Sequence, residues 1–527
     1  EAWGGEVRKR SQVGPVEYAD TNGGPAQRAM AAYDRWFGAG PECAMLRLLG
    51  LFDRPAPGAA LQTLRAAPEI PGLNDELRTL TGTAWNQLIA RLRRAGLVEA
   101  ANATDPRGVD AHPLIREHFG EVLRKENETA WREGHRRLYE WYAASTKDLP
   151  DTAEELAPLY AAVLHGGRAG RHQDALDQVF WRRIRRFNEH YSIKKLGSFG
   201  ADLSALSSFF VEPWSQPVPA LREADRAFVL NAVGFALRAL GRLEEAVGPL
   251  RASLAAALDQ ADWENAAAAA SNLSELQLTL GQLKEATDSA RQAVELADQS
   301  GDVFQRLHDR TTLADALHQG GRPEEAGPLF VEAEAMQRER QPERPLLNSV
   351  RGYKYCDLLL MNGETDEVLR RAEQTLEWVQ SEVSPLSMGL DHLSLGRAHI
   401  IRLAAGQKAA SAPASHHLNQ AVSRLRESGT QHNLPRSLIH RAAFFRIVRD
   451  FPAATCDLDE ALRIATRGRM LLLEADAHLE HARLLLAQKF DKDARAALDR
   501  AQALIIQTGY VRCAPEAVAV AKQLGGK

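Results

Sequence analysis

The chain has 527 residues, of which 45% are hydrophobic, 25% are charged and 6% are aromatic, and its formal net charge at pH 7 is -4. This length exceeds one ordinary hydrophobic core and predicts two or more domains or a repeat array. The near-neutral charge excludes a general attraction to nucleic acid or to an anionic membrane surface. The mean hydropathy is -0.33, and no apolar run approaches the roughly 18 residues of a membrane helix, so we expect a soluble protein.

The first residues and the cysteines indicate where the protein works. The chain begins with Glu1, and its opening EAWGGEVRKR lacks the apolar stretch of a signal peptide, so we expect a fragment of a longer protein. The four cysteines lie far apart, with no CxxC pair, and predict neither a metal site nor a disulfide framework: Cys43, Cys356, Cys456 and Cys513. Reduced thiols and the absence of a secretion signal together predict a cytoplasmic location.

The N-terminal third is predicted to be a series of helices interrupted by one hairpin. We treat residues 1–40 as a helical segment with one helix at Ala26–Phe37, and residues 41–123 as a small domain. The elements predicted in that domain are helices at Glu42–Phe52, Ala59–Ala66 and Gly82–Ala95, strands at Gly96–Ala100 and Val109–His112, and a helix at His112–Arg124. Three helices followed by a hairpin are typical of a winged helix. A helix at Glu128–Ala144 then opens a predicted helical linker, 124–225, which holds a degenerate repeat.

The strongest signal in the sequence is a repeated hexapeptide. GRLEEA, GQLKEA and GRPEEA begin at Gly241, Gly281 and Gly321, which are 40 residues apart, and GETDEV follows at Gly363. Weaker copies are GRHQDA at Gly170–Ala175, RDFPAA at Arg449–Ala454 and KFDKDA at Lys489–Ala494. Apolar residues recur at helical spacing on both sides of each copy, so the unit is a helix, a tight turn and a helix. The glycine ends the first helix, where a left-handed backbone costs least without a Cβ atom.

These units resemble the tetratricopeptide repeat. Gly234 and Ala246 fall where that family has its small residues, which let the two helices of a pair approach closely. The resemblance implies an all-α fold, a right-handed solenoid over residues 226–520, and about seven to nine repeats when degenerate copies are counted. Gly406–Ser415 is predicted to be a lengthened turn before a helix that begins near His416.

The first helix of each pair is expected to line a concave groove. A mixed polar lining of this kind suits a protein or peptide partner held by several modest contacts. Some family members bind a C-terminal carboxylate with lysine and asparagine in successive repeats, but the predicted groove has only the asparagine, so that clamp is not predicted. The predicted groove residues are Asn231, Phe235, Arg238, Ser271, Glu275, Thr279, His308, Thr311, Asp315, His318, Tyr353, Asp357 and Arg397.

The order of the parts resembles the rear half of bacterial STAND signal-transduction ATPases of the NB-ARC and NACHT type. The residues that carry the resemblance are GGPAQRAMAAYDRWF at Gly23–Phe37, AMLRLLGLFDRPA at Ala44–Ala56, LRRAGLVE at Leu92–Glu99 and DAHPLIREHF at Asp110–Phe119. In that family a nucleotide-binding domain is followed by a helical lid, a winged helix and a repeat sensor. The resemblance therefore implies an upstream ATPase domain in the parent protein, with residues 1–40 as a remnant of the lid.

The resemblance also implies one nucleotide-sensing residue. The family's winged helix carries a Met-His-Asp motif, whose histidine approaches the terminal phosphate of bound ADP. The matching positions are Ala111, His112 and Pro113, so only His112 carries over, and the missing aspartate leaves the helix-capping part of the motif in doubt. The chain has no P-loop, since its one Gly-Lys pair is Gly526–Lys527. We therefore expect no cofactor and no enzymatic activity in this chain, and ATP or ADP in the parent protein.

Two interpretations stay open for function. The first is the non-catalytic sensor half of a signalling ATPase, whose partners are a ligand in the groove and its own upstream ATPase domain. The alternative is a transcription regulator that binds DNA through its winged helix, with Arg91, Arg93 and Arg94 on the recognition helix. The resemblance disfavours nucleic acid as a partner, because such winged helices usually serve as internal packing modules.

Overall fold

The computed structural model describes residues 32–33, 35–99, 105–382 and 384–525, which form two compact units that divide between Ile184 and Arg185. This division falls inside the predicted linker. The predicted helix at 26–37 lies largely outside the described residues, although 32–33 and 35–37 are helical. No described helix combines the length and the apolarity that a membrane crossing requires.

The first unit is helical, with two isolated antiparallel bridges. Its helices are α1 Pro41–Leu49, α2 Gly58–Arg65, α3 Asp75–Arg78, α4 Gly82–Arg94, α5 Pro113–Glu126, α6 Glu128–Ser145, α7 Ala153–Arg168 and α8 His172–Asp174, and a π-helix runs over Ala175–Ile184. Within the described residues, which omit 100–104, the predicted strands contain the bridge of Glu99 with Asp110, while Val109 bridges Ala56. The winged-helix assignment stays a prediction.

A close contact between two glycines lets α1 and α5 pack together in the first unit. A Cβ atom on Gly50 would lie 2.3 Å from the backbone nitrogen of Gly120, so α5 can approach the end of α1 only because both positions lack side chains. Met45, Leu46 and Phe119 are buried beside this contact. The burial of these residues accounts for the apolar pattern from which both helices were predicted.

The second unit is a stack of helix pairs, as predicted. It opens with short elements: a 3₁₀ turn at Phe187–Glu189, α9 Tyr191–Lys194, α10 Phe199–Leu206, a 3₁₀ turn at Ser207–Phe209, and the antiparallel strands β1 Phe210–Glu212 and β2 Gln216–Pro217. Seven pairs follow: α11 Glu223–Ala239 with α12 Leu243–Asp259, α13 Trp263–Thr279 with α14 Leu283–Ser300, α15 Val303–Gln319 with α16 Pro323–Arg340, α17 Ser349–Met361 with α18 Thr365–Glu382, α19 Pro385–Ala404 with α20 Ser411–Glu427, α21 Leu434–Val448 with α22 Phe451–Gly468, and α23 Leu471–Ala487 with α24 Asp491–Thr508. The 3₁₀ turn Val511–Cys513 and α25 Ala514–Gly525 close the stack.

The repeated hexapeptide is the turn within each pair. Gly241, Gly281 and Gly321 have φ angles of 75°, 78° and 76°, which is the left-handed conformation predicted for them. Two of the weaker copies keep the same geometry without glycine, since Arg449 and Lys489 both have φ of 69°, and the third has Gly170 with φ of 78°. The turn is thus set by the packing of the two helices, and glycine lowers its energy without being required for it.

The predicted lengthened turn at Gly406–Ser415 is shorter than expected. A 3₁₀ turn occupies Lys408–Ala410, and α20 begins at Ser411 instead of near His416. Pro413 does not prevent this start, because in the first turn of a helix the missing N–H has no intrahelical acceptor to lose.

Later repeats of the solenoid pack against turns of earlier repeats. The backbone N–H of Gln431 donates to the carbonyl of Ala239 over 2.7 Å. A Cβ atom on Gly281 would lie 2.7 Å from Thr508 Cγ2, and one on Gly321 would lie 2.6 Å from Val511 Cγ1. The superhelix therefore closes on itself after about one turn, which the local periodicity did not predict.

Candidate functional site

The first helices of the seven pairs (α11, α13, α15, α17, α19, α21 and α23) form the inner side of the solenoid, and we call the polar surface they enclose the inner channel. All the predicted groove residues lie on the first five of these helices. Most are buried, and Thr311 and His318 have no exposed surface. The channel is thus narrower than an open groove, because the superhelix closes around it.

Glu275 holds the first cluster of predicted residues together. Its carboxylate accepts hydrogen bonds from Arg238 and from Nζ of Lys354, the latter over 2.6 Å. The side chains of Glu275, Arg238 and Lys354 are only 14%, 7% and 7% exposed. Burial alone would raise the pKa of Glu275, but Lys354 and Arg238 hold it well below its usual value. The carboxylate therefore stays charged inside the protein.

Asp357 is the centre of the second cluster. Its carboxylate accepts from Nη2 of Arg397 over 2.5 Å and from Nε2 of Gln319 over 3.1 Å, and His318 Nε2 lies 3.3 Å away. Nη1 of Arg512 lies 3.7 Å from the same carboxylate. Burial would raise the pKa of Asp357, but the two arginines hold it well below its usual value.

The other predicted residues make smaller contacts. Asn231 accepts from Asn272 over 3.1 Å, and Ser271 donates to Thr312 over 3.2 Å. Phe235 packs against Arg238. The remaining contacts are those of Thr279 and Thr311 with their own helices, of Asp315 with Gln319 and Lys354, and of Tyr353 with Arg397. Ligand binding by any of these residues stays a prediction.

Several channel residues escaped the sequence reasoning. Lys354 follows the predicted Tyr353 directly, and Arg436 and His440 lie four residues apart on α21, as Tyr353 and Asp357 do on α17. That spacing is the signal that could have identified Arg436 and His440, whereas the position of Lys354 directly after Tyr353 carries no such signal. The repeat step is irregular around α20, so the register could not be carried past Arg397.

Water still reaches part of this lining. His308, His440 and Arg436 are only half-buried, although they lie deep among the first helices. Burial lowers the pKa of His308 and of His440 to about 3, so both are neutral at pH 7. Burial also raises the pKa of Asp309 to about 7, and its two oxygens accept from Gln305. The channel therefore presents guanidinium groups, neutral imidazoles and amides, which can form hydrogen bonds with a polar ligand.

In the first unit, His112 caps a helix. Its Nδ1 accepts the backbone N–H of Leu114 over 3.3 Å at the start of α5, and the side chain is exposed. A pocket of about 440 Å³ lies beside this helix start, and its charged lining residues are Asp53, Arg116, Glu117, Glu121, Arg124 and Arg168. In the family motif an aspartate is associated with helix capping, and this chain has Pro113 at that position. Here His112 itself caps the helix.

The arginines of the alternative DNA surface lie on α4 and are exposed. Arg91 is paired with Glu42 over 2.6 Å, while Nε of Arg93 donates to the carbonyl of Glu99 and Nε of Arg94 to that of Ala90. Because Arg91 already has an acidic partner, the structure adds nothing in favour of phosphate binding at this surface.

Comparisons with known proteins find distant similarities. No protein-family model and no curated protein matches the chain. One solved structure is a signal transduction ATPase with numerous domains (STAND) protein with a tetratricopeptide repeat sensor from Pyrococcus horikoshii, at 14% identity over 94% of this chain and 68% of that chain, with a TM-score of 0.39. Another is a Rap protein complexed with competence and sporulation factor, at 12% identity over 77% of this chain and 96% of that chain, with a TM-score of 0.31.

Neither similarity is close enough to transfer a ligand, a partner or an activity to this chain. The fold rests on features of the chain itself. Seven helix pairs, left-handed turns and the close contact of Gly234 with Leu250, where a Cβ atom would lie 2.5 Å from Cγ, together make this an all-α solenoid of tetratricopeptide-like repeats.

Proposed function

We propose that this chain is the sensor region of a STAND-type signalling ATPase, and that its inner channel binds a protein or peptide ligand. The observation that supports this most is the lining of the channel. Charged and amide side chains lie deep between the first helices, yet residues such as His308 and Arg436 keep contact with solvent. A solenoid without a ligand would be more stable with apolar side chains there, since ion pairs in a protein interior contribute little net stability.

The proposed region is non-catalytic. Each channel carboxylate named above is occupied by a cation or an amide donor, and no described group of three or more His, Cys, Asp or Glu residues is arranged to hold a metal ion. The role we propose for such a lining is to bind and select a ligand. The ATP or ADP of the proposed mechanism belongs to the upstream ATPase domain of the parent protein.

His112 is proposed to couple the sensor to that domain. Because its Nδ1 accepts a backbone hydrogen bond, the neutral imidazole carries its proton on Nε2. An exposed Nε2–H can donate to a phosphate oxygen of ADP. Ligand binding in the channel would then release this contact and permit nucleotide exchange.

The ligand proposal is tested with a matched pair of variants. Asn231→Ala combined with Phe235→Ala alters the channel, and Arg495→Gln alters an exposed position on the outer helix α24. Each protein is used to capture partners from native lysate, followed by mass spectrometry. We expect a partner that wild type and Arg495→Gln retain and that the channel variant loses, with unchanged circular dichroism. Equal retention by all three proteins would place the binding elsewhere.

The coupling proposal is tested in the full-length protein. His112→Ala is expected to shorten the retention of ADP and to raise the activity in the absence of ligand. Unchanged nucleotide retention and activation would contradict a role of His112 in nucleotide sensing.

A further inference from the structure

One arginine in the inner channel lacks an acidic partner. Arg436 lies on α21 with its guanidinium 5.9 Å from the ring centre of Tyr353. Its Nε is buried and has no hydrogen-bond partner. Within the described part of the chain, no carboxylate oxygen lies within 4 Å of its guanidinium. An arginine whose Nε is buried in this way is normally paired, because an unpaired charge in a protein interior is destabilising.

Two further guanidinium groups stand beside it with unused donors. Arg397 and Arg512 share the carboxylate of Asp357, yet Nη1 of Arg397 and Nε of Arg512 are buried without a hydrogen-bond partner. Asp357 lies among the acidic groups that raise the pKa of Arg436. Arg397 and Arg512 therefore contact the same carboxylate, and Arg436 lies farther from it than either of them.

The two other acidic groups nearby are already occupied. Oδ1 of Asp315 accepts from Gln319 over 3.0 Å, and its Oδ2 lies 3.9 Å from Nζ of Lys354. Asp476 accepts from the hydroxyl of Tyr510 over 3.2 Å and from the thiol of Cys513 over 3.5 Å. Neither forms an ion pair with Arg436, although Asp315 is among the groups whose charge raises its pKa.

We propose that Arg397, Arg436 and Arg512 form an anion site that takes a carboxylate of the ligand. This inference rests on the proposed function and specifies its ligand as a peptide with an acidic side chain or a free C-terminus at this point. The planar fork of a guanidinium matches a carboxylate with two parallel hydrogen bonds. Arg436 is only half-buried, so an entering anion can reach it from the channel.

The site itself is tested with small anions. Thermal unfolding is followed with sodium acetate, sodium phosphate or sodium chloride at equal ionic strength, for wild type, Arg436→Gln and the outer control Arg495→Gln. We expect acetate to raise Tm of wild type and of Arg495→Gln above the value in chloride, with saturation, and to act at least tenfold more weakly on Arg436→Gln. No difference between acetate and chloride would overturn the site, and a stronger effect of phosphate would overturn the assignment to a carboxylate.

A second variant keeps the test valid if Arg436→Gln does not fold. Arg436→Lys retains the charge without the fork, and its fold is checked by circular dichroism. We expect it to bind acetate more weakly than wild type. Acetate binding equal to wild type would show that the planar geometry has no role and would overturn the three-arginine site.

A peptide experiment separates this inference from the proposed function. Two pools of short randomised peptides are offered to wild type and Arg436→Gln: one with free C-termini and acidic residues, the other amidated, with amides in place of the acids. We expect wild type alone to prefer the first pool. Equal retention of both pools would overturn the carboxylate site while supporting peptide binding. Acetate binding that depends on Arg436, without retention of any peptide, would leave the site intact and contradict the proposed function.

Discussion

Replacing Gly281 and Gly363 by alanine compares two turns with the same backbone and different surroundings. Their φ angles are 78° and 82°, so both substitutions place an L-residue in the left-handed region. That conformation costs about 1–2 kcal/mol, and the loss of glycine's freedom in the unfolded chain offsets about 0.4–1 kcal/mol of it. No atom would lie within 4 Å of a Cβ on Gly363. We therefore expect Gly363→Ala to lower the free energy of unfolding by about 1 kcal/mol.

Gly281 carries an additional steric cost. A Cβ there would lie 2.7 Å from Thr508 Cγ2 and 2.9 Å from Leu471 Cβ, well inside the roughly 3.5–4.0 Å of favourable carbon contacts. Both neighbours belong to the last helix pair of the solenoid. Overpacking of this kind typically costs about 1–3 kcal/mol, so Gly281→Ala is expected to lose about 2–4 kcal/mol in total.

Urea unfolding of both variants, followed by circular dichroism, measures this difference, with Gly363→Ala as the matched control. Because repeat arrays can unfold in parts, the transitions of both variants are compared for the same cooperativity before free energies are derived. Equal losses for the two glycines would refute the reasoning, since they would mean that the first repeats do not pack against the last pair.

Three further predictions follow from buried or strained groups. Glu275→Gln leaves Arg238 and Lys354 in the interior without their carboxylate, and urea unfolding should show a loss of about 3–5 kcal/mol. Lys489→Gly relieves a left-handed φ of 69° and should raise the free energy of unfolding by about 0.5–1 kcal/mol in the same assay. Burial lowers the pKa of His165 to about 3, so below pH 6.5 its imidazole binds a proton in the unfolded chain but not in the folded state. The neutral imidazole therefore contributes fully to the free energy of unfolding above pH 6.5, and this contribution falls by about 2 kcal/mol between pH 7 and pH 5. The Tm of wild type should accordingly fall more steeply over this pH range than the Tm of His165→Gln.

Each of these predictions has a result that contradicts it. A loss below about 1 kcal/mol for Glu275→Gln would mean that water already solvates the two cations. Destabilisation by Lys489→Gly would show that the lysine side chain makes a contact worth more than the backbone strain. Parallel Tm profiles of wild type and His165→Gln would show that the imidazole is protonated in the folded state.

The repeat architecture could be predicted from the sequence because it is local. A glycine step of 40 residues and apolar residues at helical spacing identify each pair from its own residues. The turns at Arg449 and Lys489 were found through weaker copies of the same motif, and they adopt the same left-handed geometry. Of the predicted hairpin, the described residues show the single bridges at Glu99 and Val109, and residues 100–104 lie outside them.

The candidate site was only partly predictable, for a physical reason. Register identified Arg238, Glu275 and Asp357 as inward-facing, and the structure places all three in ion pairs. Whether the inner surface is open or nearly closed depends on the curvature of the superhelix. That curvature is fixed by contacts such as Gly281 with Thr508, which are far apart in sequence and leave no local pattern.

The distribution of charge along the channel indicates which part of it would select among ligands. Glu275 and Asp357 already hold strong cationic partners, so a basic ligand would have to displace a buried ion pair to reach either carboxylate. Displacement of that kind gains little, because it exchanges one desolvated pair for another. Arg436 has no pair to give up, so an anion that reaches it adds an interaction without breaking one. Under the proposed function, a ligand with a negative charge at this point would therefore gain more than any neutral or basic competitor. The unpaired arginine, more than the number of polar groups, would then set the specificity of the channel.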